Sequence, residues 1–230
     1  MTAHVRSVNV GRAEENPARS SLPTGIRKRP VAGPVEVREP GPRQGGLGSG
    51  VAGDFIGNST YHGGTDQAVY AFAREELDFW AGELGRELPD GSFGENLTLS
   101  GVDVDGARLG EVWRIGDVVL QVTDARIPCG TFRGVMQVRG WLRRFTERGR
   151  SGAYLKVLAP GTVQAGQAVD LVRRPGHGVG VTDAFRAQTT ERERLPELLR
   201  AGEDLCEQLR RRIEKERRAE ARRAQREGVS

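Results

Sequence analysis

The chain has 230 residues, carries 35 Lys or Arg against 31 Asp or Glu for a net charge of +4, and is 37% hydrophobic. That is enough for one full domain plus an appendage, with a core that needs no disulfides. No apolar run reaches the ~18–20 residues of a membrane span, the N-terminal segment has no apolar stretch of signal-peptide length, and Cys129 and Cys206 lie far apart, so the expected setting is the reducing cytoplasm, with no membrane partner.

The first strand is expected at 4–11, with Val5, Val8 and Val10. Residues 24–31 read as a loop ending at Pro30, and 33–39 alternates Val35 and Val37 with charge, as strands do. A glycine-rich loop follows over 40–54. Within it, Gly48, Gly50 and Gly53 spell GxGxxG, but a Pro/Gly loop precedes them and Gly57 and Asn58 follow. A dinucleotide loop needs a strand before it and a helix after it, so the motif is read as a surface loop. Residues 67–72 form a short apolar strand, and 74–85 places Leu77, Trp80 and Leu84 at helical spacing before a stop at Gly85.

Strands are then predicted at 95–101, 111–116 and 117–125, with a hairpin corner at Ile115-Gly116-Asp117. A helix is expected over 135–149, and strand, turn, strand, turn, strand over 152–172. Thirty-two glycines, eleven prolines and many short strands with two interposed helices point to a mainly β fold, a β-barrel decorated by helices, over residues 1–175. Residues 182–202 and 203–227 are helix-forming, so 182–230 is expected to be a C-terminal helical extension with a charged tail. Its stripe of Leu205, Leu209 and Ile213 has two outlets: docking on the barrel, or pairing two subunits as a homodimer.

Residues 207–226 alone carry a net +5, which leaves the rest of the chain at −1. The body is therefore not a basic nucleic-acid footprint. The tail interleaves Glu with Arg and has no aromatic residue for base stacking, so nucleic acid is not an expected partner. The three histidines, His4, His62 and His177, are scattered, and there is no CxxC, HxH or HExxH, which argues against a zinc site.

The segment Arg126-Ile-Pro-Cys129-Gly130 follows directly on strand 117–125. Pro128 ends the ladder and Gly130 lets the chain turn away, so Cys129 sits at a strand exit. Arg126 nearby favours the thiolate, which is both a nucleophile and a soft-metal ligand. Cys206, beside the leucine stripe, reads as packing. Residues 61–72 place His62, two glycines and Asp66 before an apolar strand; residues 91–101 place Gly94, Glu95 and Asn96 where backbone N–H groups and an amide suit a heterocycle edge or a phosphate. Lys28, in the 24–31 loop, is a further cation that could meet a phosphate.

Taken in order, the segments at 24–31, 46–54, 61–72, 91–101, 117–130 and 152–172 resemble the MOSC family, named for the C-terminal domain of molybdenum cofactor sulfurases, and in particular its small stand-alone bacterial members. The resemblance implies a β-barrel that binds molybdenum cofactor, a molybdopterin dithiolene with a terminal phosphate. It implies that Cys129 is the molybdenum ligand, that His62 and Asp66 belong to the catalytic surroundings, and that Lys28, Gly94, Asn96 and Arg126 contact the cofactor. It further implies reduction of N-hydroxylated small molecules with electrons from an external donor protein. The alternative it leaves open is a non-catalytic carrier of the cofactor, or of sulfur as a persulfide on Cys129.

Overall fold

The computed structural model describes residues 2–227. In chain order the strands are β1 (His4–Val10), β2 (Arg29–Pro30), β3 (Val35–Val37), β4 (Val69–Ala73), β5 (Leu97–Ser100), β6 (Val112–Ile115), β7 (Val118–Ala125), β8 (Ala153–Ala159), β9 (Gly161–Val163) and β10 (Asp170–Arg173). The α-helices are α1 (Arg74–Leu84), α2 (Gly130–Met136), α3 (Trp141–Arg148), α4 (Val181–Gln188) and α5 (Glu207–Glu227), with 3-10 turns at Thr65–Gln67 and Arg192–Asp204. Among the described residues no helix is long and apolar enough to cross a membrane.

Eight strands form one mixed sheet in the order β10-β6-β7-β8-β4-β5-β1-β2, and β3 pairs with β9 apart from it. The β4–β5 pair is parallel and its neighbours are antiparallel. The expected closed barrel is not formed by these ladders, and at 30% helix against 24% strand the chain is not mainly β. One edge is β2, only two residues long and ending in Pro30, which has no N–H to extend a ladder. At the other end, the residues leading into β10 fold back toward β1 through an isolated bridge between His4 and Ala168, with the Val5 N–H donating to Gln167 O at 2.9 Å. The sheet is thus strongly curled, with a bridge where a barrel would have a full ladder.

Helix positions follow the sequence with three exceptions. The predicted 135–149 helix starts late, because Gln137 (φ 53°) and Gly140 (φ 70°) both adopt left-handed backbone and interrupt it. The turn expected at Gly130 is instead the first residue of α2. The predicted 182–202 helix is α4 followed by the 3-10 stretch containing Pro196.

The core has two parts. Buried Val5, Leu97, Leu99, Leu120, Val122 and Leu155 of the sheet pack in one cluster with Phe185, Leu195, Leu209 and Ile213 of the C-terminal helices. The stripe therefore takes the first of its two outlets: Leu205, Leu209 and Ile213 are buried within this chain. The last three residues of the predicted extension, 228–230, lie outside the described residues. The second part is aromatic: five of the six pairs among Phe93, Phe132, Trp141 and Phe145 meet edge to face, with ring centroids 5.1–5.9 Å apart. Such pairs add ~0.5–1.5 kcal/mol each beyond burial. Phe132 belongs to α2, so this cluster fixes the helix that begins directly after Cys129.

Gly152 leads into β8 with φ +74°, and a Cβ there would lie 2.4 Å from Ala71 O. Its N–H donates to Asp105 Oδ1 at 2.8 Å, and its carbonyl accepts from the Arg126 N–H at 3.4 Å. Strained backbone and backbone overlap act together on any side chain placed there. Gly152→Ala is expected to lower stability by ~2–5 kcal/mol, read as a fall in the urea midpoint at unchanged slope.

Candidate functional site

At the end of β7 the chain leaves the sheet through Arg126, Ile127 and Pro128 and reaches Cys129 in extended backbone (φ −124°, ψ 170°), the residue that precedes α2. The strand and the aromatically anchored helix hold Cys129 from both sides. It lines a cavity of about 610 Å³, shared with His62, Arg126, Lys28, Gly94 and Asn96. Six of the seven residues singled out from the sequence therefore line one cavity.

Asp66 is the exception. Its carboxylate accepts the Gln208 N–H in the first turn of α5 at 3.1 Å, and its carbonyl accepts the Thr123 hydroxyl at 2.6 Å. It caps and seats the C-terminal helix instead of lining the cavity. The glycines beside His62 also have a packing role. Gly63 has φ +80°, and a Cβ on it would lie 2.4 Å from Gly48 O, so the His62 turn rests on the glycine loop whose GxGxxG pattern imitates a phosphate loop. No helix follows that loop before the 3-10 turn at Thr65–Gln67.

Burial of Cys129 works against its thiolate, but it is outweighed by the hydrogen-bonding His62 imidazole, the Arg126 guanidinium and the Phe132 N–H, so the thiol pKa is lowered from 9.0 to about 6. Arg126 is only 5% exposed and its Nη1 has no partner among the described residues. Its guanidinium lies over the Phe132 ring, 4.2 Å from the centroid. A buried charge is normally paired, so an unpaired donor in a cavity wall marks a place for an anionic or acceptor group. Arg126→Leu is expected to raise the Cys129 pKa and to slow iodoacetamide labelling several-fold at pH 6.5, followed by mass spectrometry.

Lys28 and Asn96 line the cavity but spend their polar groups inside the protein. The Lys28 ammonium pairs with buried Asp54, which also accepts the Gly11 N–H at 2.8 Å and Asn96 Nδ2 at 2.9 Å. Asn96 Oδ1 accepts the Tyr70 N–H at 3.1 Å. These residues brace the wall by tying β1, β4 and β5 to the 24–31 and 50–55 loops. Gly94 has φ +85°, and a Cβ on it would press on Ile26 Cγ1 at 3.0 Å.

The sequence reading missed much of the cavity lining, including Arg43, Gln67, Asp124, Gln188, Gln208 and Arg212. Arg43 pairs with Gln208 Oε1, and Arg212 Nη1 donates to Gln188 Oε1 at 2.7 Å. The available signal was helical spacing: Gln208 and Arg212 are four apart and flank the Leu209/Ile213 stripe, so docking that stripe brings them to the sheet.

Fold and site together define a curled mixed-sheet protein that presents one activated thiolate in a basic-walled cavity closed by its own C-terminal helix. The MOSC domain family model matches residues 58–170. YflK of Bacillus subtilis is 32% identical over 165 residues, which cover 72% of this chain and 71% of YflK. YiiM of Escherichia coli is 29% identical over 159 residues, 66% of this chain and 65% of that protein. A Gibberella moniliformis protein named a reductase is 29% identical over 173 residues, 73% of this chain but 29% of the fungal protein. The crystal structure of YiiM from Geobacillus stearothermophilus superposes with a TM-score of 0.72 at 26% identity, covering 93% of this chain and 98% of that one. The chain belongs to the MOSC domain family.

Proposed function

We propose that the cavity holds molybdenum cofactor with Cys129 as its protein sulfur ligand, and that the protein reduces N-hydroxylated small molecules with electrons from an external donor protein in the cytoplasm. The observation that carries this reading is the pairing, in one cavity, of a thiolate favoured at neutral pH with a buried guanidinium whose Nη1 is unpartnered. A thiolate is the soft donor that molybdenum, like other thiolate-seeking metals, accepts. The free Arg126 donor suits the oxygen-rich, anionic parts of a molybdopterin. A cavity of about 610 Å³ is of the size that encloses a cofactor. The kinship with a fungal protein named a reductase agrees with redox chemistry.

When bound, the cofactor supplies a two-electron centre for oxygen-atom transfer, and the chain positions and tunes it. Cys129 provides the anchoring sulfur. His62 and Arg126 keep that sulfur ionised. Lys28, Asp54 and Asn96 fix the wall, and Asp66 acts as a positioning residue through α5. On this reading residues 1–175 carry the anchoring thiolate and most of the cavity lining, and 182–227 add Gln188, Gln208 and Arg212. The test is expression with ample molybdate, anaerobic purification, and measurement of molybdenum and pterin per chain together with anaerobic reduction of an N-hydroxylated amidine or nucleobase. Near-stoichiometric metal and pterin with turnover are expected, and their absence from the wild type would overturn the reading. Stoichiometric binding with transfer to an apo-enzyme but no turnover would instead make the protein a carrier.

A further inference from the structure

We propose that Asp124 is the proton donor of this cavity, a role that rests on the reductase reading above. Asp124 is the penultimate residue of β7, only 3% exposed, and lines the same cavity as Cys129, Lys28 and Asn96. Its two hydrogen bonds both fall on Oδ1: Gln188 Nε2 donates at 2.6 Å and the Ala125 N–H at 2.7 Å. Among the described residues none donates a hydrogen bond to Oδ2. The carboxyl is thus held in one orientation, with Oδ2 left without a protein partner in a side chain that lines the cavity.

The nearest guanidinium is kept one residue away. Arg212 bonds Gln188 Oε1 at 2.7 Å, and Gln188 in turn bonds Asp124. A direct Arg–Asp pair would fix the carboxylate as an anion, whereas an intervening amide orients it and leaves it able to hold a proton. The other groups facing Asp124 are Asp66 from the 3-10 turn, Tyr154 from β8 and Cys206 before α5; Asp66 opposes the anion and Arg212 favours it. Burial is the largest influence and, despite the two hydrogen bonds to Oδ1, brings Asp124 to about 7. A general acid is most effective when its pKa lies near the working pH.

Reduction of an N-hydroxylated nitrogen consumes two electrons and two protons: the N–O bond breaks, an N–H bond forms and the oxygen leaves as water. The electrons come from a reduced electron-carrier protein. Asp124 Oδ2–H supplies the proton for nitrogen, solvent supplies the second, and solvent reprotonates Asp124 through the cavity mouth. The donor must be protonated to act, so kcat falls as pH rises through the Asp124 pKa.

The experiment compares wild type with Asp124→Asn, whose amide oxygen still accepts from Gln188 and Ala125. Expected results are a 10²–10⁴-fold lower kcat, a KM changed less than threefold, loss of the alkaline limb, and unchanged thermal stability and molybdenum content. In protein purified without cofactor, infrared titration should show a protonated carboxyl band that disappears near pH 7 and is missing from Asp124→Asn. An active wild type with unaltered kcat and pH profile in Asp124→Asn overturns the donor role and leaves the reductase reading standing. A carboxyl band that titrates near pH 4 also overturns it. An inactive wild type overturns both.

Discussion

Brief treatment of the native protein with iodoacetamide at pH 7 is expected to label Cys129 and spare Cys206, and Cys129→Ala is expected to lose bound molybdenum and at least 10³-fold of the N-reduction rate. The two thiols differ in environment, not in chemistry. Cys129 is partly accessible and its pKa is lowered to about 6, so roughly nine-tenths of it is thiolate at pH 7. Cys206 is buried, and burial followed by the charges of Asp124 and Asp66 pushes its thiol far up. Labelling of Cys129 should be half-maximal near pH 6, well below the ~8.5 of a free cysteine. The same shift makes stability depend on pH. A depressed folded pKa contributes stability that is fully present above the unfolded value near 9 and is lost as pH falls through about 6. Cys129→Ala should therefore flatten the stability curve between those limits, measured by urea unfolding across pH. Labelling of both cysteines at equal rates, or retention of molybdenum by the alanine variant, would contradict the site.

The largest effect on stability is expected from Leu209→Ala combined with Ile213→Ala. Both side chains are at most 1% exposed in the main core. Each truncation of this kind costs ~2–5 kcal/mol, against ~5–15 kcal/mol for a whole domain. The pair should undock α5, remove Gln208 and Arg212 from the cavity wall, and release the Gln208 N–H from Asp66. Hydrogen exchange should report loss of protection in α5 before the sheet opens. Glu214→Ala is the control: Glu214 is exposed, and its contact with Arg218 at 3.9 Å is a surface pair worth under ~1 kcal/mol. Equal effects from the core pair and the control would show that the helix is not held by its apolar stripe.

The sheet strands were legible because alternation is local: Val118, Leu120 and Val122 are buried while Val119 and Gln121 are not. The Cys129 loop was legible for the same reason, since strand, proline and glycine stand side by side. Closure of the sheet was not. It depends on whether residues 166–169 make a ladder or a single bridge with β1, and neither segment encodes its partner. The break between α2 and α3 was missed because Gln137 carries no sign of its left-handed backbone. The long-range partners of the candidate site residues were not legible either. Asp66 looked like a site acid and proves to cap a helix 142 positions away, while Lys28 looked free and is paired with Asp54. Long-range pairing decides such cases, and a one-dimensional pattern is silent on it. Asp124 shows the reverse: an unremarkable strand residue becomes a buried acid because α4 and α5 close over it.

That closure has a consequence for synthesis. The polypeptide is made from its N-terminus, and domains begin to fold as they emerge. The sheet segments, Cys129 and Arg126 are synthesised well before Gln208 and Arg212. The finished chamber therefore exists only after the final helix has been translated and has settled into place. Whatever bulky group is to occupy the chamber meets the least obstructed route during that interval, and a chain stopped short of residue 208 would keep the sulfur without the enclosure.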